Sequence, residues 1–175
     1  MVNDQVLPEK NVIGWRTASG ELFPTADTNE IVVFEHFFYW GFALPTNAFF
    51  HDLLHWYGIE LIHMNPNSIL HIDTFIHLCE VFLGVRPHFN LFCHFFILKL
   101  SLKDGKINVV GGASLQLHQG KGKEYLGLRF KTSLKGWHQR WFYTSNPSPS
   151  LHAYDGHRPV VKESWTSLPM AEDMV

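Results

Sequence analysis

Histidine is the residue type whose number and spacing in this chain come nearest to those of a metal site. There are 12 histidines, and His51 and His55 lie four residues apart, so on a helix both imidazoles would face one side. The residues between them are Asp, Leu and Leu, so the His-Glu-x-x-His motif of zinc proteases is absent. The remaining histidines show no better spacing, and we therefore predict that the protein holds no metal ion.

Other catalytic motifs are also missing from the sequence. The chain has no Gly-x-Ser-x-Gly elbow, and the glycines at 111–112 and 120–122 lack the Gly-x4-Gly-Lys-Ser/Thr frame of a phosphate loop. Asp73 and Glu80 lie seven residues apart on a predicted helix, where they would share a solvated face. We therefore predict that the protein is not an enzyme and has neither a cofactor nor a small-molecule substrate.

Positive charge is concentrated in residues 99–140, which contain nine Lys or Arg against two Asp or Glu. Residues 1–98 contain three against ten. Cations interleaved with exposed rings neutralise phosphates and stack on bases, which favours nucleic-acid contact. Two other interpretations stay open: the segment pairs with the acidic first part, or it forms a solvated sheet face. The residues predicted for nucleic-acid contact are Lys121, Lys123, Arg129, Lys131, Lys135 and Arg140.

The bulk composition indicates a globular protein with an adhesive surface. The chain has 15 Phe and 6 Trp but only 17% charged residues, which favours a protein partner that covers part of the surface. Cys79 and Cys93 are expected to be buried thiols rather than a disulfide or half of a metal site. Residues 1–10 do not resemble a secretory signal, and the apolar run 31–44 is shorter than the roughly 20 residues that span a bilayer. We therefore expect an intracellular protein without membrane contact.

Helical patterns dominate the middle of the chain. Residues 48–57 carry an apolar stripe and end at Gly58. Residues 66–83 follow the capping residue Asn65, begin with proline and end at Gly84, which predicts a helix of about 18 residues.

The remaining elements are less clearly marked. Residues 88–96 predict a third, shorter helix, whereas residues 31–38 leave a strand and a buried helical turn open. An Asp-Gly turn at 104–105 and a bulge or kink at 111–112 are expected among the strands. The predicted strands are residues 98–102, 107–117, 124–130 and 137–143.

These elements predict an α+β fold. A helical first half with two to three helices is followed by a small antiparallel sheet of three to four strands. Residues 1–30 are interpreted as an extended lead-in, residues 31–150 as the domain, and residues 151–175 as an irregular tail.

Two sequence blocks are the most specific in the chain: Leu-Cys-Glu-x-Phe-Leu-Gly at 78–84 and Gly-Trp-x-x-Arg-Trp-Phe-Tyr at 136–143. Further blocks are residues 34–45, 53–61, 65–72 and 87–91. In this order the blocks resemble the gypsy-type transposon domain family of plant, especially grass, retroelement proteins, and the resemblance covers residues 31–150.

The resemblance implies a retroelement origin but no particular catalytic activity. The family has no established activity despite a transposase label, so no catalytic residues transfer to this chain. Its domain usually lies near the N-terminus of longer proteins, which leads us to expect a fragment or a degenerate copy. Phe92 and Cys93 stand where the family pattern has Trp and a basic residue.

Together, the residues and the resemblance lead to one functional hypothesis and one alternative. The hypothesis is a non-catalytic retrotransposon-derived domain that mediates protein interaction or self-association. The alternative is a nucleic-acid-binding module that uses the basic segment 99–140.

Overall fold

A computed structural model describes residues 13–18, 20–126 and 135–167 of the chain. These residues form a mixed fold of helices and small antiparallel sheets. The strands are β1 Trp15–Thr17, β2 Glu30–Phe34, β3 Phe96–Leu100, β4 Leu102–Lys103, β5 Lys106–Ile107, β6 Ala113–Leu117 and β7 Trp141–Ser145. The α-helices are α1 Glu35–Tyr39, α2 Ala48–Tyr57, α3 Pro66–His77, α4 Phe89–Phe95 and α5 Gly122–Tyr125. Shorter 3-10 turns occupy Leu61–His63, Trp137–Gln139 and Glu163–Trp165, and a π-helix occupies Leu78–Leu83.

Helix α2 has the bounds that the sequence predicts. The Asn47 side chain accepts a hydrogen bond from the backbone N–H of Phe49 at 2.8 Å, which satisfies one of the free donors at the helix start. Gly58 ends the helix with φ at 60°, a left-handed conformation that costs glycine little. These local signals explain why the prediction is confirmed.

The long helix predicted over 66–83 is also present, but it changes character after His77. Asn65 accepts from the N–H of Ser68 at 2.9 Å and Pro66 follows it, which starts α3. The last turn, Leu78–Leu83, is a π-helix that ends at Gly84, where φ is 64°. No helix in the described part of the chain is long and apolar enough to cross a membrane.

Residues 31–38 combine both conformations that the pattern left open. Strand β2 runs to Phe34, and α1 follows directly from Glu35. Ile31 to Phe34 are all buried, so the strand lacks the alternation of a half-exposed strand. This continuous apolar run explains why periodicity did not decide between strand and helix.

The predicted order of helices first and sheet afterwards is wrong. Strands β1 and β2 lie before the helices, and both pair antiparallel with β7 in the order β1-β7-β2. Val32 lies opposite Tyr143, so strands that pair in this sheet lie more than 100 residues apart in the sequence. Pairing over this distance leaves no hairpin signal in the local sequence.

The other strands form two small units instead of one sheet. β3 pairs with β6, and Phe96 lies opposite Leu117. The Asp-Gly turn at 104–105 joins β4 to β5, as predicted. Residues 108–112 leave the predicted strand 107–117 and turn sharply, which agrees with the kink expected at the two glycines.

Two further strand predictions need correction. The predicted strand 124–130 begins inside helix α5, and its residues 127–130 lie outside the described residues. Lys121, the residue before this Gly-Lys-Glu-Tyr helix, pairs with Glu124 at 2.6 Å, a contact across one turn that stabilises the helix slightly. The predicted strand 137–143 starts as a 3-10 turn and becomes β7 only from Trp141.

Aromatic rings fill the core. Phe92 lies 5.0 Å from Phe75 and 4.8 Å from Phe96 between ring centroids, which joins α3, α4 and β3. Phe34 of β2 and Trp137 of the 3-10 turn before β7 meet edge to face at 4.9 Å between ring centroids. Aromatic side chains therefore join helices and strands from different parts of the chain.

Candidate functional site

Four exposed apolar side chains lie close together in the sequence at the end of the π-helix. Val81 is 68% exposed, Phe82 78%, Leu83 54% and Val85 50%. We call these four residues the apolar surface. Contiguous exposed apolar side chains are unusual on a folded protein and typically mark contact sites.

Phe82 and Leu83 continue the helical spacing of the apolar residues in 66–83, but both side chains are exposed. A π-helix closes its turns with i to i+5 hydrogen bonds and so contains more residues per turn than an α-helix. Cys79 stays buried, but the side chains from Val81 to Leu83 no longer lie on the face that buries Ile72 and Phe75. An apolar pattern at helical spacing could not reveal this change.

Opposite charges flank the apolar surface. Glu80 precedes it and Arg86 follows it, and both side chains are exposed. The Glu80 carboxylate accepts a hydrogen bond from the Asn47 side-chain amide at 3.2 Å, which fixes its position beside α2. A groove of about 800 Å³ runs from these two charges to the rings of Trp56 and Phe89.

The six residues predicted for nucleic-acid contact do not meet at one place. Arg140 lies 3.5 Å from the buried carboxylate of Glu35, and Lys121 lies 2.6 Å from Glu124. Lys123 is exposed on α5, and Lys135 lines a separate cleft. Arg129 and Lys131 lie outside the described residues.

The cleft that contains Lys135 holds about 700 Å³. His138 and Arg158 also line it, and among its described lining residues none is Asp or Glu. Phe23 and Trp137 contribute rings, and Ser101 and Asn108 contribute polar side chains. We call this site the basic cleft.

Sequence reasoning missed two residues of the basic cleft. Arg158 lies beyond the basic segment 99–140, and Phe23 lies within the predicted lead-in 1–30. Tertiary packing brings both to the cleft that Lys135 lines, and the Phe23 ring packs on Tyr154 at 5.9 Å between centroids. No local signal in the sequence connects these segments.

A second group of titratable side chains joins Glu60 to the segment 155–157. Burial, followed by the nearby charge of Asp155, raises the pKa of Glu60 to about 7. Glu60 accepts from the N–H of Asp155 at 3.4 Å, while Nδ1 of His63 accepts from the N–H of Glu60 at 3.1 Å. Nε2 of His63 lies 3.0 Å from the carbonyl of His157, and burial lowers the pKa of His63. These contacts hold the segment against the turn at 61–63.

The other predicted features have structural roles. Asp73 is half-buried, and burial raises its pKa, whereas Glu80 is exposed beside Asn47. The predicted shared solvated face for these two carboxylates is therefore wrong, because Asp73 packs against the backbone of Gly41. Cys79 and Cys93 are buried and free, as predicted.

The helix that carries His51 and His55 gathers no metal site. No group of three or more His, Cys, Asp or Glu side chains suited to a metal ion occurs among the described residues. His51 is partly buried on α2, and this burial lowers its pKa, whereas His55 is exposed.

Comparison with known proteins gives one match. Residues 31–100 match a family model described as "Putative gypsy type transposon". The block at 78–84 lies within this range and the block at 136–143 lies outside it. No curated protein and no solved structure matches the chain. This match confirms the predicted resemblance to a transposon-related family over residues 31–100.

Proposed function

We propose that this chain is a non-catalytic, intracellular domain of plant retroelement origin that acts by binding protein through its apolar surface. The observation that carries the proposal is the run of exposed side chains from Val81 to Val85, of which Phe82 is 78% exposed. Aromatic side chains at the centre of an apolar surface are the typical anchors of protein interfaces. The family match over residues 31–100 supports the transposon-related origin.

The charges beside the apolar surface favour a second copy of this chain as the partner. In a twofold interface the same surface serves both subunits, so residue i of one meets residue j of the other and the reverse. Two antiparallel 80–86 segments related by an axis near Leu83 would place Glu80 of one copy beside Arg86 of the second copy. Both pairs would then be attractive, at the rim of a contact centred on Phe82 and Leu83.

A matched pair of substitutions tests the surface. Val81 and Val160 are 68% and 67% exposed, so Val81→Asp and Val160→Asp add the same charge at equal exposure. We expect Val81→Asp to raise the dissociation constant of the dimer at least tenfold, or about 1.4 kcal/mol. Val160→Asp should leave it unchanged, as measured by sedimentation equilibrium over a range of concentrations. An equal effect of the two substitutions, or a wild-type monomer at all concentrations, would contradict the proposal.

Charge reversal tests the arrangement. Glu80→Arg and Arg86→Glu each place like charges together in the twofold dimer, and each should weaken it about fivefold, or about 1 kcal/mol. The double variant restores opposite charges and should recover the wild-type dissociation constant. Additive weakening in the double variant would rule out the twofold pairing while leaving the role of the apolar surface intact.

A further inference from the structure

We propose that the basic cleft binds the phosphate of a nucleotide, with Lys135 and Arg158 as the charge contacts and Phe23 as a stacking surface for the base. This site is separate from the apolar surface, so the inference goes beyond the protein-binding role. The same chemistry is present in a free mononucleotide and in single-stranded nucleic acid.

Uncompensated positive charge is the first argument. Neither Lys135 nor Arg158 forms an ion pair with a described carboxylate, whereas Lys121 and Arg140 lie 2.6 and 3.5 Å from theirs. The described lining of the cleft contains no Asp or Glu. Cations of one sign in a concave site concentrate the field and raise the local concentration of anions.

The second argument is the size and polarity of the cleft. Its volume of about 700 Å³ lies within the range of about 300–1,000 Å³ that is typical of small-molecule sites. Ser101 and Asn108 line the same cleft with a hydroxyl and an amide donor, and His138 adds an imidazole. Phosphate oxygens accept hydrogen bonds from all of these groups.

The third argument is the pair of rings that line the cleft. Phe23 is 42% exposed, and its ring packs on Tyr154, which holds it at the edge of the cleft. Trp137 is buried, and its ring lies so close to Gly111 that a Cβ there would be 2.7 Å from Cζ2. The Trp137 ring therefore forms part of the wall, and the Phe23 ring offers an exposed face on which a base can stack.

The alternative occupant of such a cleft is an inorganic anion without a base. A ring at the edge would then contribute nothing, and substitution of Phe23 would not affect binding. Nucleotide binding instead requires both the cations and the ring, so the two classes of ligand respond differently to Phe23→Ala.

The experiment uses the full chain and a fluorescein-labelled ten-residue oligothymidylate, followed by fluorescence anisotropy at low and moderate salt. Lys135→Gln and Arg158→Gln should each weaken binding at least fivefold at low salt. Each should also reduce the slope of log K against log salt by about 0.7, the value for one phosphate contact on a single strand. Lys99→Gln, an exposed cation on β3 outside the cleft, is the control and should change neither quantity.

Competition identifies the source of the ligand. Displacement by thymidine monophosphate at concentrations close to those of the oligonucleotide indicates a mononucleotide site, and displacement only by oligonucleotides indicates a single strand. Phe23→Ala should weaken binding of either one while leaving competition by inorganic phosphate unchanged. The proposal is overturned if low-salt titrations are flat, if the Gln variants behave like Lys99→Gln, or if inorganic phosphate competes as well as thymidine monophosphate. Val81→Asp should bind normally, which separates this test from that of the apolar surface.

Discussion

The indole N–H of Trp165 donates a hydrogen bond to the backbone carbonyl of Tyr57 at 2.9 Å. The two residues lie 108 positions apart, and Trp165 is only 1% exposed. The carbonyl belongs to the last turn of α2, where backbone acceptors have no partner within the helix. The segment that the sequence predicts as an irregular tail therefore completes both the core and a helix end.

Removal of this side chain should destabilise the whole fold. We expect Trp165→Ala to lower the free energy of unfolding by about 3–5 kcal/mol, because it leaves a large cavity. Trp165→Phe keeps a ring but removes the donor from the Tyr57 carbonyl, and should cost about 1–3 kcal/mol. Urea unfolding followed by circular dichroism measures both. Wild-type stability of Trp165→Ala would show that the tail does not pack on α2 in solution.

Gly112 and Gly122 differ in how closely neighbouring atoms approach them. A Cβ at Gly112 would lie 1.9 Å from the carbonyl oxygen of Asn108, whereas nothing lies within 4 Å of one at Gly122. Gly112→Ala should therefore cost about 1–3 kcal/mol by overpacking, because the obstructing atom belongs to the backbone. Gly122→Ala should be neutral or stabilise by up to about 1 kcal/mol. Thermal unfolding of the two variants measures this difference in stability. Equal stabilities would contradict the turn at 108–112.

The Glu60 carboxyl should make the folded protein less stable as the pH rises. Its pKa in the folded protein is about 7, above the ordinary 4.5, so the folded state binds a proton more tightly than the unfolded state does. The stabilisation that this proton provides is present below pH 4.5 and is lost as the pH rises from about 4.5 to about 7. Glu60→Gln keeps the acceptor for the Asp155 N–H and removes the titration.

The measurement is the urea midpoint of both proteins at pH 5 and pH 8. Other groups titrate equally in wild type and variant. The difference between the two proteins in how far the urea midpoint shifts with pH therefore reports on Glu60 alone. We expect wild type to lose more stability than Glu60→Gln between these two values. A variant that loses as much as wild type would show that burial does not perturb this carboxyl.

The two thiols should be unreactive in the native protein. Cys79 is 0% exposed and Cys93 5%, and burial raises the pKa of both, which disfavours the reactive thiolate. We expect an aromatic disulfide reagent to modify them at least on the order of 100-fold more slowly than in urea, since reaction requires local opening. Rapid native modification of one thiol would indicate that its helix, α3 with its π-helical end or α4, opens readily.

Local interactions explain which helices could be predicted. Helix α2 has its cap at Asn47 and its stop at Gly58. Helix α3 has its cap at Asn65, and the π-helix that continues it stops at Gly84. Each signal acts on backbone groups within one turn, so neighbours in sequence suffice to place it. The resemblance to a transposon-related family was also readable, because residue order alone carries it.

Long-range packing decided the rest. Strands β1 and β2 find their partner in β7 more than 100 residues away, and such pairing depends on the closed core rather than on either strand. The π-helical turn exposes Phe82 against its helical pattern. The cations of residues 99–140 lie apart: Arg140 is beside Glu35, whereas Lys135 lines a cleft together with Arg158. The sequence by itself determined helices α2, α3 and α4 and the resemblance to a transposon-related family. Only the tertiary structure decided which apolar and charged side chains face solvent together, because that depends on contacts between distant segments.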